Sequence, residues 1–222
     1  MPKVFLGVGH GGTDSGAIGN GFKEKDLNLS IALACNDVLV SHGVTVMMSR
    51  TKDEDDSIAE EIRECNAFKP DFAIDIHNNA GGGDGAECFY HYGGGKGKVV
   101  AENILLEIVR VGQNSRGAKV RTNEQGKDYY AFIRETTAPA IIVECAFVDN
   151  PKDVQVIDTL QEQILIGTAI AKGILRVLGI PYKNENPLYK VQVGAFNNKN
   201  NAIILQNKLK SQGYNAFIIE ST

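Results

Sequence analysis

The chain has 222 residues, 43% of them hydrophobic and 23% charged, which provides one domain of ordinary size, leaves room for a small second one and argues against disorder. Its 23 Lys and Arg against 27 Asp and Glu leave a net charge of −4, so nucleic acid and an anionic membrane are excluded as main partners. The apolar runs are strand-sized and Met1-Pro2-Lys3 leads straight into one of them. Neither a signal peptide nor a membrane span is therefore expected, and synthesis in the cytoplasm follows. Cysteines at 35, 65, 88 and 145 show no Cys-x-x-Cys spacing and read as small buried thiols.

In chain order, Val4 to Val8 predicts a buried strand, and the loop from Gly11 to Gly21 follows it. Leu27, Ile31, Cys35, Val38 and Leu39 predict a helix over 26–42, with Asp26 as its cap. Val44 to Met48 reads as a strand, and the acidic stretch 51–56 as a solvated surface loop. A helix from Ser57 to Phe68, with Ile58, Ile62 and Cys65 on one face, ends before Pro70. A strand from Phe72 follows. The segment Ala86 to Tyr92 alternates, and the next helix, 99–111, turns Ile104, Leu105, Ile108 and Val109 inward. Residues 112–138 read as loop around a packed patch at 129–133. Ala140 to Cys145 is a strand, and Thr159 to Leu178 a helix with Leu160, Ile164, Ile170, Ile174 and Leu178 inward. Strands alternating with helices imply an α/β fold, a single mostly parallel sheet flanked by helices. Beyond a linker at 181–187, residues 188–193, 199–212 and 214–219 predict a small βαβ fragment.

Three strands run into a metal-capable or proton-capable side chain: His10, His77 and Glu144. Ligands of open α/β sheets bind beyond the carboxyl ends of the strands, so one site collecting all three is the simplest expectation. Zinc hydrolases offer three protein ligands drawn from His and Glu, leave a fourth position for water, and need a further carboxylate as base. His10, His77 and one glutamate meet that count. Glu24, at the far end of the Gly-rich loop, is assigned as the ligand and Glu144, on its strand, as the base; the pattern alone also permits the exchange. His42 reads as an exposed helix-end residue and His91 as structural. The Gly-rich loop lacks the Gly-Lys-Ser/Thr ending of a phosphate loop.

Gly9-His10-Gly11-Gly12-Thr13-Asp14-Ser15-Gly16-Ala17 with Glu24, then Ile76-His77-Asn78-Asn79-Ala80, then Pro139 to Glu144 and Asn150, resemble the zinc-dependent N-acetylmuramoyl-L-alanine amidase family over residues 3–179. The resemblance implies hydrolysis of the amide between N-acetylmuramic acid and the L-alanine of the peptidoglycan stem peptide. It places zinc on His10, Glu24 and His77, with Glu144 catalytic and Asn79 near the substrate. Three departures stand out: Gly7-Val8 where the family often has Asp-Pro, Asp75 where it often has Ser, and Cys145-Ala146 after the glutamate. Asp75 is read as a carboxylate supporting a ligand histidine. Arg134 is read as a partner for a stem-peptide carboxylate.

The tail, Tyr189 to Phe196 with Asn201-Ala202, Leu209 and Gly213-Tyr214, is similar to the first half of a SPOR domain, a peptidoglycan-binding module. The implied organisation is a catalytic domain at 1–180, a linker at 181–187 and a partial wall-binding module at 188–222. The expected partner is peptidoglycan, glycan strand and stem peptide, with no nucleic acid and no membrane insertion. The enzyme would reach the wall after mother-cell lysis in sporulation or as a phage lysin. Competing readings are a noncatalytic wall-binding protein and a zinc peptidase cutting within the stem peptide.

Overall fold

The computed structural model describes residues 1–183, 192–212, 216 and 218, in two compact units, 1–183 and 184–222. In the first unit, strands β1 (Lys3–Val8), β4 (Thr45–Met48), β5 (Phe72–Asn79), β6 (Ala86–Tyr90), β7 (Ser115–Lys119) and β8 (Ala140–Phe147) form one sheet, in the order β4-β1-β5-β8-β6-β7. β4, β1, β5 and β8 are parallel, whereas β6 pairs antiparallel with β8 and parallel with β7. The strand at β7 replaces the loop expected there. Its sequence Ser-Arg-Gly-Ala-Lys is polar and interrupted by glycine, as an edge strand tolerates.

Side chains alternate across the sheet, so each strand feeds two cores. On one face Val4, Leu6, Val8, Ile74, Ile76, Ile141 and Val143 pack with helices α1 (Glu24–Ser41), α3 (Gly95–Arg110) and α6 (Leu160–Val177). On the other, Phe5, Ala73, Ala140 and Ile142 meet Ile62 and Cys65 of α2 (Ile58–Phe68) and Phe132 and Ile133 of α4 (Ala131–Glu135). Gly7, Asp75, His77 and Glu144 continue the second set by alternation. The smaller core thus turns polar at the carboxyl ends of its strands, and that is where the site forms.

Several expected inward positions face out. Leu160 is 66% exposed, Ile58 47% and Val109 45%, and Ile164 is also exposed. On α6 the buried seam is instead Ile166, Gly167, Ala169, Ile170, Ala171, Gly173, Ile174 and Leu175. A Cβ on Gly167 would sit 2.3 Å from the Ile31 carbonyl oxygen, and one on Gly173 2.5 Å from Ile104 Cα. The helices approach through small residues, which a search for large apolar side chains does not detect. Thr159 caps α6 in a capping box with Glu162.

The start of α1 also differs from expectation. It begins at Glu24, so Asp26 lies in its first turn and caps nothing. The Glu24 and Lys25 amides donate to the Ala17 and Ser15 carbonyls, and a short hairpin of β2 (Ile18–Gly19) and β3 (Phe22–Lys23) folds the loop back. The acidic stretch is a brace as well as a surface. Asp53 accepts from the Gly12 amide at 2.8 Å and pairs with Lys25 at 2.7 Å, and Asp55 accepts from the Thr13 amide at 2.7 Å. In the second unit α7 (Lys199–Ser211) occupies the expected helix, with Asn198 as its cap. The strands expected at 188–193 and 214–219, and the linker expected at 181–187, fall mostly outside the described residues.

Candidate active site

Three elements deliver the central residues. His10 leaves the end of β1 with φ 62°, a left-handed conformation that costs a non-glycine residue about 1–2 kcal/mol. A bridge between Gly11 and Asp14 and the bond between His10 Nδ1 and Asp14 Oδ2, at 2.7 Å, hold it there. Glu24 is the first residue of α1, not a passenger on a flexible loop, and the helix N-terminus favours its negative charge. His77 lies on β5 beside a register shift between His77 and Asn79, opposite Glu144 on β8.

The geometry is compact. Glu24 Oε2 is 3.2 Å from His10 Nε2, and Glu24 Oε1 is 3.0 Å from His77 Nδ1. The rings of His10 and His77 stand edge to face, 5.1 Å between centroids. Each histidine uses its far nitrogen on a second carboxylate, His10 on Asp14 and His77 Nε2 on Asp75 Oδ2 at 3.1 Å. Glu24 further accepts from the amides of Ala17 and Asn78. Burial raises its pKa, but the hydrogen bonds from His10 and His77 outweigh burial and hold the carboxyl far below the usual range. Burial opposes protonation of His77, and Asp75 and Glu24 overcome it, raising the ring well above the ordinary histidine value.

His10, Glu24 and His77 offer one ligand atom each within 4.8 Å of one another. Ligand atoms of a tetrahedral zinc with bonds of about 2.0–2.2 Å lie roughly 3.3 Å apart; the two separations above are of that size but end on different oxygens of Glu24. The two backing carboxylates are the arrangement that orients metal-binding imidazoles, so the donor set fits a divalent cation. That cleft, of about 280 Å³, is lined by the three residues with Asn78, Asn79, Ala80, Tyr130, Ile142 and Glu144. Glu144 Oε2 is buried without a hydrogen-bond partner among the described residues. Burial pushes this carboxyl up to about 7, with His77 opposing and Glu24 adding to the shift.

The structure thus brings His10, Glu24, His77, Glu144, Asp75 and Asn79 together. The Asn79 side chain donates to Glu87 Oε1 at 3.0 Å and accepts from the Ala80 amide. Arg134 does not line the cleft: its guanidinium donates to the carbonyls of Asp128 and Tyr129 and to Glu135. His91 faces Asp128 at 3.3 Å and His42 stacks on Tyr182, both away from the cleft.

Three supports were not read from the sequence. Buried Asn28 donates to the Gly9 carbonyl and accepts from Asn78, whose own amide holds Glu24. Arg50, 2% exposed, donates to the carbonyls of Val8, Gly9, Lys25 and Lys52, clamping β1 to the start of α1. Polar residues inside apolar patterns are the signal that flags such positions. Gly7 and Asp75, two of the departures noted above, are register partners. A Cβ on Gly7 would lie 2.7 Å from Asp75 Oδ1, so the missing side chain leaves space that Asp75 uses.

Comparison with known proteins bears on the whole arrangement. The sequence family described as N-acetylmuramoyl-L-alanine amidase matches residues 4–176, and the SPOR domain family matches 169–222. The amidase CwlM of Bacillus licheniformis is 35% identical over 224 residues, covering 99% of this chain and 85% of that protein. The sporulation-specific N-acetylmuramoyl-L-alanine amidase of Bacillus subtilis is 32% identical over 222 residues, again covering 99% and 85%. Among solved structures, Cwp6 from Clostridium difficile superposes with a TM-score of 0.78 at 38% identity, over 80% of this chain and 29% of that one. With the match spanning nearly all of the sheet and both histidine-bearing strand ends, this chain belongs to the N-acetylmuramoyl-L-alanine amidase family.

Proposed function

We propose that residues 1–180 hydrolyse the amide between N-acetylmuramic acid and L-alanine in peptidoglycan, with one zinc ion on His10, Glu24 and His77 and with Glu144 as proton carrier. The observation that carries this reading is the convergence of two imidazoles and a carboxylate, 3.0 and 3.2 Å apart, beside a buried unpartnered carboxylate oxygen. When bound there, zinc supplies Lewis acidity toward the scissile carbonyl and a water.

The protein's own groups do the rest. Glu144 takes the proton of the attacking water and returns it to the leaving L-alanine nitrogen, a task suited to a carboxyl poised at about 7. Asp14 and Asp75 fix which nitrogen of each histidine faces the cleft. Tyr130 and Ile142 wall the cleft. Asn79, which lines the cleft, is the proposed substrate contact. Residues 188–222 are the proposed wall-binding module, supported by the SPOR match. The sporulation-specific relative supports a setting in which the enzyme reaches the wall on mother-cell lysis. No helix among the described residues is long and apolar enough to cross a membrane.

Digestion of purified peptidoglycan, with products read by mass, tests the activity. The expected result is release of intact stem peptides with a free L-alanine amino group, abolished by chelation and restored by zinc. Cleavage inside the stem, or wall binding without release, would reject it. The site has no slack. A Cβ on Gly9 would lie 2.2 Å from His77 Cε1, so Gly9→Ala displaces the ring and is expected to weaken zinc binding by roughly 10–100-fold, measured by chelator competition.

A further inference from the structure

Beyond Glu144 the polar row continues across the sheet. His77 of β5, Glu144 of β8 and Glu87 of β6 are successive register partners on three neighbouring strands. Glu87 is 5% exposed, and its two oxygens serve different partners. Oε1 accepts from the side chain of Asn79, which lines the cleft, at 3.0 Å. Oε2 accepts from Arg116 Nε at 2.8 Å and from Lys119 Nζ, both on β7. Lys119 is the register partner of Phe89, two residues on from Glu87, so by alternation it shares the sheet face of Glu87 and Glu144.

This pair of cations is prepared to hold an anion. Burial raises the Glu87 carboxyl, and the bonds from Lys119 and Arg116 outweigh burial and hold it below the usual range. One carboxylate thus faces two cations, and the group of three stays positive. The Arg116 guanidinium is fixed from two sides, by Glu87 at Nε and by the Phe147 ring, whose centroid lies 5.1 Å from Cζ. Nη1 and Nη2 make no hydrogen bond among the described residues, and the side chains of Arg116 and Lys119 are 39% and 35% exposed. A guanidinium pinned through Nε keeps its two-nitrogen edge for a carboxylate.

Sheet order identifies the anion. The proposed zinc ligands sit on β1 and β5 and at the start of α1, Glu144 is on β8, and β6 and β7 follow on the far side. Glu144 returns its proton to the leaving L-alanine nitrogen, so the stem peptide lies toward β6 and β7. The lactyl carboxyl of N-acetylmuramic acid is the acyl half of the scissile amide, and the free carboxylates of the substrate belong to the stem. Two inter-strand spacings put β7 about 10 Å from β8, roughly the reach of three extended residues at about 3.5 Å each.

We propose that Arg116 and Lys119 form a subsite that grips a carboxylate within the first three residues of the stem peptide, so that the enzyme selects stems with free acids over stems whose carboxyls are amidated. Arg116 offers its paired N–H groups and Lys119 a point charge. Glu87 is a positioning residue, aligning both cations on one side and Asn79 on the other. The inference rests on the amidase reading, which supplies the direction of the stem.

Synthetic N-acetylmuramoyl tripeptides, with every stem carboxyl either free or converted to carboxamide, test it. The wild type is expected to cleave the free acid with a kcat/KM about 10–100-fold higher, and the Arg116→Gln/Lys119→Gln double variant to bring that ratio close to one. Loss of a purely structural brace would slow both substrates alike and keep the ratio. A wild type without preference, or a double variant that retains it, would overturn the proposal. Should the double variant fail to fold, Arg116→Gln and Lys119→Gln singly, each leaving Glu87 one cation, are read in its place, and a ratio unchanged in both rejects the subsite. A wild type that cleaves neither substrate rejects the amidase reading separately. Calorimetry of the free tripeptide, acid against carboxamide, then decides the subsite without turnover: tighter binding of the acid that Arg116→Gln weakens supports it, and equal binding of the two rejects it.

Discussion

Glu144→Gln is expected to abolish hydrolysis and, in the same molecule, to make the metal-free protein more stable at neutral pH. Loss of a general base costs about 10²–10⁴-fold in rate, and glutamine has the same shape with no proton to take up. The stability change follows from burial. Glu144 is pushed from an ordinary 4.5 up to about 7, so its protonated form favours folding. That contribution is fully present below the unfolded value and is lost as pH rises through the folded one. Above neutrality the ionised carboxylate costs up to about 3 kcal/mol, at 1.36 kcal/mol per unit. The glutamine variant escapes this cost. Urea unfolding of chelated protein across pH 4 to 8 should show the variant gaining on the wild type as pH rises and levelling off above neutrality. Equal stability at alkaline pH would refute the burial account, and near-normal turnover would remove Glu144 from the chemistry.

His77→Ala should lose on both counts. Without this ligand the site keeps one imidazole and one carboxylate, zinc per chain falls toward zero, and the several kcal/mol of stabilisation supplied by the metal go with it. Hydrolysis is expected to fall by roughly 10³-fold or more. Folding suffers as well, because Glu24 and Asp75, 4% and 2% exposed, both hydrogen-bond this ring. Removing one partner of a buried charged group costs about 3–5 kcal/mol. Metal analysis and unfolding of the same preparation test both points. A variant that retained one zinc per chain would remove His77 from the ligand set. The two substitutions thus separate a residue held at the expense of stability from one that the fold depends on.

Much of this could be read from the chain. The apolar runs ending in His10, His77 and Glu144 carry their own strand assignment, and the glycines after His10 announce a turn. On α6 the expected Ile170 and Ile174 are buried, whereas Leu160 and Ile164 face out, because Gly167, Ala169, Ala171 and Gly173 supply the rest of the seam against α1 and α3, where no large side chain marks it. The polar edge strand β7 and the braced acidic stretch were missed for a related reason. Their structure comes from partners distant in sequence, β6 in one case and the amides of Gly12 and Thr13 in the other.

By itself, then, the sequence determined the fold class, the order of the strands and helices in the chain and the four residues that meet in the cleft, since period, turn chemistry and residue type are local properties. Tertiary structure alone decided that Glu24 opens a helix, that Arg134 turns to its own loop, and that Asn28, Asn78 and Arg50 hold the strand ends together. Those outcomes depend on register and on the packing of one layer against another, and neither is set by residues adjacent in the chain.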